Sequence, residues 1–90
     1  MATRHVFYEG RVQGIGFRYT VRQIAMGFDV AGWVRNLPDG RVELLGSGAT
    51  DEVTGFLEAI RDSELGGFTH KETIHEIPPP TPLRGFEIIH

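Results

Sequence analysis

Apolar positions along this chain follow two periods, and the switch between them marks out its elements. Residues 4 to 10 alternate, with Val6 and Tyr8 on one face and His5, Phe7 and Glu9 on the other, which is the spacing of a strand. At Phe17 the period lengthens. Phe17, Val21, Ile24, Ala25 and Phe28 fall at helical spacing, giving one apolar stripe that leaves Arg18 and Arg22 off it. Gly27 is the expected C-cap of that helix, with Phe28 folded back onto the last turn. A second strand is expected over 30–36 and a third over 41–47. Between them Pro38-Asp39-Gly40 puts Pro where φ must be near its fixed value and Gly where φ must be positive, a hairpin turn. Thr50 is the expected N-cap of a second helix, with Asp51 and Glu52 favouring its dipole and Val53, Phe56, Leu57 and Ile60 forming its stripe. Strands over 70–77 and, shorter, 85–89 complete the pattern.

The order is βαββαβ plus a short terminal strand. It predicts an α+β, ferredoxin-like sandwich with two helices on one face of an antiparallel or mixed sheet. Ninety residues suffice for one core, so a single domain over 1–90 is expected. No cysteine is present, which excludes a disulfide and a thiol nucleophile. The first residues lack the apolar core of a signal peptide, and no run reaches membrane-spanning length, so a cytoplasmic location is expected and no membrane partner. A net charge of −3 gives no overall attraction to nucleic acid. Pro78-Pro79-Pro80-Thr81-Pro82 reads as a stiff connector.

The chemistry concentrates in residues 10 to 18, Gly-Arg-Val-Gln-Gly-Ile-Gly-Phe-Arg. Three glycines between a strand and a helix let backbone N–H groups turn inward, and the helix dipole favours negative charge at the same place. Arg18 adds a planar, permanently charged fork suited to phosphate. This loop is not a Walker motif, because no Lys-Ser or Lys-Thr pair follows the last glycine. It is not a Rossmann fingerprint either, since Tyr19 stands where the third glycine belongs. A crossover through the first helix makes strands one and two parallel, so the loop and the end of strand two lie at one edge. There Asn36, on the same face as Val30, Gly32 and Val34, can reach an anion held by residues 13 to 18.

The two blocks Gly10–Arg18 and Gly32-Trp33-Val34-Arg35-Asn36, with Asp39-Gly40-Arg41-Val42-Glu43 and the closing Gly85-Phe86-Glu87-Ile88, resemble the acylphosphatase family over nearly the whole chain. The resemblance implies a hydrolase without metal or other cofactor that cleaves the carboxyl–phosphate bond of small acyl phosphates. It further implies that Arg18 binds phosphate, that Asn36 orients the attacking water, and that the backbone amides of Gln13, Gly14, Ile15, Gly16, Phe17 and Arg18 form the cradle. Leu37-Pro38 departs from the small polar residues many relatives carry after the asparagine, so a tuning hydroxyl is missing there. A monomer is expected, since no large apolar face is left uncovered.

Other residues read more plainly. His70 and His75 lie five apart in a strand, hence on opposite faces, and neither His5 nor His90 pairs with a ligand at metal-site spacing, so all four are read as surface residues. Glu58, Asp62 and Glu64 read as a solvated helix face. Trp33 is assigned to sheet packing, and Arg35, of opposite parity to Asn36, to the surface rather than to a second phosphate contact. Strand three, Arg41-Val42-Glu43-Leu44-Leu45-Gly46, lacks the basic and aromatic pattern of an RNA-recognition fold. The rival of a different class is a domain that binds a phosphorylated metabolite without turning it over.

Overall fold

In a computed structural model, which describes residues 1–90, the chain runs β1 (Ala2–Gly10), α1 (Phe17–Ala25), β2 (Val30–Asn36), β3 (Val42–Gly48) and α2 (Thr50–Asp62). A 3₁₀ turn (Glu64–Gly67), β4 (Thr69–Glu76) and β5 (Phe86–Ile88) follow. The five strands form one sheet in the order β4-β1-β3-β2-β5. β1 and β2 each pair antiparallel with β3, so they are parallel to one another without touching. β4 is antiparallel to β1, and β5 joins β2 in parallel. No helix is long and apolar enough to cross a membrane.

Strand parity decides the core. Val6 lies opposite Leu44, Leu44 opposite Val34, and Tyr8 opposite Val42, so one face of the sheet is a continuous apolar surface. Phe17, Val21 and Ala25 of α1 and Val53, Phe56, Leu57 and Ile60 of α2 are buried with it in a single cluster. Phe56, with no exposed surface, meets the rings of Phe28 at 6.1 Å and Phe86 at 5.4 Å. Burying an aromatic of that kind contributes about 1.5–3 kcal/mol. The helices therefore share one face, as the stripes predict.

Two helix ends differ from the sequence expectation. Gly27 is not a left-handed cap, for its φ is not positive. The chain leaves α1 through a tightened turn in which the amides of Met26, Gly27 and Phe28 bond to the carbonyls of Gln23, Ile24 and Ala25. Such three-residue bonds satisfy the last carbonyls without a left-handed residue. Phe28 still folds back onto the core. Thr50 is the first residue of α2 rather than its cap. Ala49 holds the cap position with extended backbone and no side-chain bond, leaving Asp51 and Glu52 to offset the dipole. Glu52 also accepts a hydrogen bond from the Asp29 amide at 2.7 Å, tying α2 to the end of the α1–β2 connection.

The helix-free face carries a polar cluster. Glu43, 7% exposed, accepts from Arg35 Nε at 2.5 Å and pairs with His5 Nε2 at 2.7 Å. Burial alone would push the Glu43 carboxyl up, but the hydrogen bonds and charge of Arg35 and His5 outweigh it and hold it below the usual range. The Arg35 guanidinium lies 5.4 Å from the Trp33 ring, which covers the sheet as expected.

Candidate active site

Because β1 and β2 are parallel and β5 runs alongside β2, the C-terminal ends of all three strands reach the same edge of the sheet. Gly10, Asn36 and Ile88 mark those ends. The loop from Arg11 to Gly16 begins there. Its fixed point is Val12, which is fully buried in the core. Gly14 and Gly16 then take φ of 81° and 77°, the left-handed region that an L side chain resists. Gly16, at ψ 22°, caps α1.

That geometry leaves amides free. None of the backbone N–H groups from Val12 to Tyr19 donates to another backbone group; the first that does is Thr20, to the Gly16 carbonyl at 2.9 Å. The first turn of any helix has unpaired amides. Here the left-handed glycines extend the series into the preceding loop, a concavity of the kind that binds anions.

A pocket of about 320 Å³ opens over these amides, lined by Gly14, Gly16, Phe17, Arg18, Tyr19, Asn36 and His90 over an apolar floor of Val12 and Ile88. Arg18, second residue of α1, is half-buried, with Nη1 3.4 Å from His90 Nδ1. The Asn36 side chain makes no hydrogen bond to the protein, and its Oδ1 is buried without a partner. An orphaned buried amide oxygen costs about 1–3 kcal/mol, so its retention calls for a functional account. No Asp or Glu side chain lines the pocket.

The structure thus brings Arg18, Asn36, Gly14, Gly16 and Phe17 together in one pocket. It does not bring in Ile15, which is 38% exposed on the loop, or Gln13. The Gln13 carboxamide reaches the other way, to the carbonyls of Leu37 and Arg41. Arg35 stays on the opposite face of the sheet, paired with Glu43. His90, read from the sequence as a surface residue, lines the pocket because β5 lies beside β2 in parallel. The three-residue strand β5 carries too short a pattern to reveal that placement.

Comparison with known proteins gives the family and the fold. A family model described as acylphosphatase matches residues 4–88. An acylphosphatase of Trichormus variabilis is 45% identical over 86 residues, covering 93% of this chain and 82% of the relative. The crystal structure of acylphosphatase from Bacillus subtilis superposes with a TM-score of 0.91 at 33% identity, over all of both chains. An acylphosphatase from Coxiella burnetii follows at a TM-score of 0.86 and 30% identity, over 98% of this chain and 92% of that one.

Proposed function

The chain belongs to the acylphosphatase family and hydrolyses acyl phosphates to a carboxylate and inorganic phosphate; from that premise we propose which residues do the chemistry. Arg18 and the loop amides from Gln13 to Arg18 hold the phosphoryl oxygens, and the side-chain amide of Asn36 holds the attacking water. One observation carries the assignment: Gly14, Gly16, Phe17 and Arg18, whose amides have no backbone partner, the Arg18 guanidinium and an Asn36 side chain with no protein partner line one pocket that holds no Asp or Glu side chain.

The reaction needs little more. An acyl phosphate is a mixed anhydride, and its leaving group is a carboxylate whose conjugate acid has a pKa of roughly 4. It departs as a stable anion, so no general acid is required. Water oxygen bonds to phosphorus as the phosphorus–carboxyl oxygen bond breaks, and that electron pair leaves with the carboxylate. Positioning and charge stabilisation supply the catalysis in such transfers. The guanidinium and amides neutralise the phosphoryl oxygens, while Asn36 aims the water from the side opposite the leaving group. The water's proton is assigned to a phosphate oxygen of the substrate: no Asp or Glu side chain lines the pocket, and the one imidazole there, that of His90, has its Nδ1 turned to Arg18 Nη1 at 3.4 Å.

The substrate is a small acyl phosphate, and the protein acts as a single domain over 1–90, as a cytoplasmic monomer without a nucleic-acid partner. Benzoyl phosphate hydrolysis in chelator-containing buffer tests the residue roles. Wild-type turnover that is lost in Arg18→Ala and in Asn36→Ala supports both assignments. Competitive phosphate binding without turnover in the wild type would instead make the chain an anion-binding module.

A further inference from the structure

Gln13 sits in the phosphate loop, yet its side chain is committed elsewhere. The carboxamide nitrogen donates to the Leu37 carbonyl at 2.8 Å and to the Arg41 carbonyl at 2.9 Å. Only the NH₂ end of a glutamine can meet two carbonyls, so both amide hydrogens are used and the ring they close has one orientation. The same carbonyls close the β2–β3 turn, where Leu37 N donates to Arg41 O at 2.8 Å and Gly40 N to Leu37 O at 3.1 Å. Leu37 directly follows Asn36, the last residue of β2, and the pair Asn36–Val42 is the last rung of that ladder. No other residue between Arg11 and Gly16 makes a side-chain hydrogen bond. The loop's other backbone anchor is the Arg11 amide on Phe68 O at 3.0 Å, and buried Val12 and Phe17 set its two ends in the core.

We propose that Gln13 is a positioning residue that fixes the distance between the phosphate loop and Asn36, an inference that rests on Asn36 holding the attacking water. The loop sets where the phosphorus lies and Asn36 sets where the water lies, and these sites sit on separate strand ends. In-line attack requires the two held in register, and a displacement of about 1 Å at a reacting centre slows turnover on the order of a hundredfold. The Gln13 clamp is the direct side-chain bridge from one to the other. A hydrocarbon of similar length cannot replace it, because it offers no hydrogen to either carbonyl.

The test uses Gln13→Met, which keeps length without donors, and Gln13→Glu, which turns an oxygen toward each carbonyl. Both leave the backbone amide at position 13 in place. The inhibition constant of inorganic phosphate should change by less than about twofold, while kcat on benzoyl phosphate falls about tenfold or more. In the Asn36→Ala background, Gln13→Met should bring no further loss. Amide shifts of residues 14 to 18 on phosphate titration, followed by NMR, should persist in Gln13→Met, showing that the loop is folded. A rise in the phosphate inhibition constant with kcat unchanged would overturn the inference, as would a full additive loss in the Asn36→Ala background. Wild-type kcat in Asn36→Ala alone would instead remove the reading of Asn36 on which the inference stands.

Discussion

Replacing Gly16 separates what the loop does for binding from what it does for folding. An ideal Cβ built at Gly16 meets nothing within 4 Å, so a side chain there has room. Its φ of 77° is the obstacle. Alanine held in the left-handed region costs about 1–2 kcal/mol. Loss of glycine's freedom in the unfolded chain returns about 0.4–1 kcal/mol. The net destabilisation of Gly16→Ala is thus about 0–1.6 kcal/mol if the loop keeps its shape, well inside the 5–15 kcal/mol typical of such domains. With about 4–8 °C of Tm per kcal/mol for a chain of this length, the midpoint falls by at most about 13 °C. Gly16→Val, β-branched and worse in that region, relaxes the loop instead and turns the amides out of register. Thermal melts with and without inorganic phosphate read both effects. A ligand at a hundred times its Kd stabilises the wild type by about 2.7 kcal/mol, so phosphate raises its Tm by about 11–22 °C. In Gly16→Val that rise should vanish while the apo protein still melts cooperatively. Undiminished phosphate stabilisation in Gly16→Val would refute the cradle, and loss of cooperative melting would make the glycine's role structural.

Three further outcomes follow from the same contacts. Phe56→Ala removes a fully buried ring packed on Phe28 and Phe86; it should cost about 3–5 kcal/mol in urea denaturation, and a loss under 1 kcal/mol would mean the core refills the space. Glu43, held below its ordinary pKa by Arg35 and His5, binds fewer protons folded than unfolded near pH 4, so its stabilisation is present above the ordinary Glu value of about 4.3 and fades as pH falls through the lower folded value. The urea midpoints of wild type and Glu43→Gln should therefore converge between pH 6 and pH 3, and a gap that widens on acidification contradicts the cluster's sign. With proton transfer to the substrate, kcat for benzoyl phosphate should show no limb near the ordinary histidine pKa of about 6.5. A steep limb there that disappears in His90→Gln would assign the proton to His90.

Much of this molecule is legible in its sequence because its core follows one rule throughout. Each apolar stripe, Val6 and Tyr8 on β1 or Phe17, Val21 and Ala25 on α1, is set by the period of its own element, and the sheet merely stacks them. The meeting of Arg18 and Asn36 is legible for a topological reason, since the crossover through α1 makes β1 and β2 parallel whatever lies between. What escapes the sequence depends on bonds between distant elements. Nothing local marks Gln13 as a partner of Leu37 and Arg41, because its acceptors are main-chain carbonyls 24 and 28 residues away. Glu43 looks like an ordinary solvent-side charge until Arg35 and His5 enclose it. The capping signal at Thr50 is displaced by one residue because Ala49 supplies the extended backbone and Asp51 and Glu52 supply the charge.

The site's polar groups and its rigid frame explain one another. Folded proteins pair nearly all their buried polar groups, and the unpartnered Asn36 oxygen, beside a run of amides with no backbone partner, departs from that rule at this sheet edge. Such groups lower stability unless water or ligand meets them. They can be kept only where the surrounding backbone cannot relax to satisfy them internally. Val12 and Phe17, both buried, clamp the loop at its two ends; the left-handed glycines fix its turn; the hairpin bonds of Gln13 close its far side. In the assignment proposed above, a phosphoryl group completes the arrangement, because its oxygens carry the negative charge that the amides and Arg18 attract. On that proposal, catalysis follows from a small fold that holds its donors apart from one another and from its own acceptors, so that the substrate brings them together.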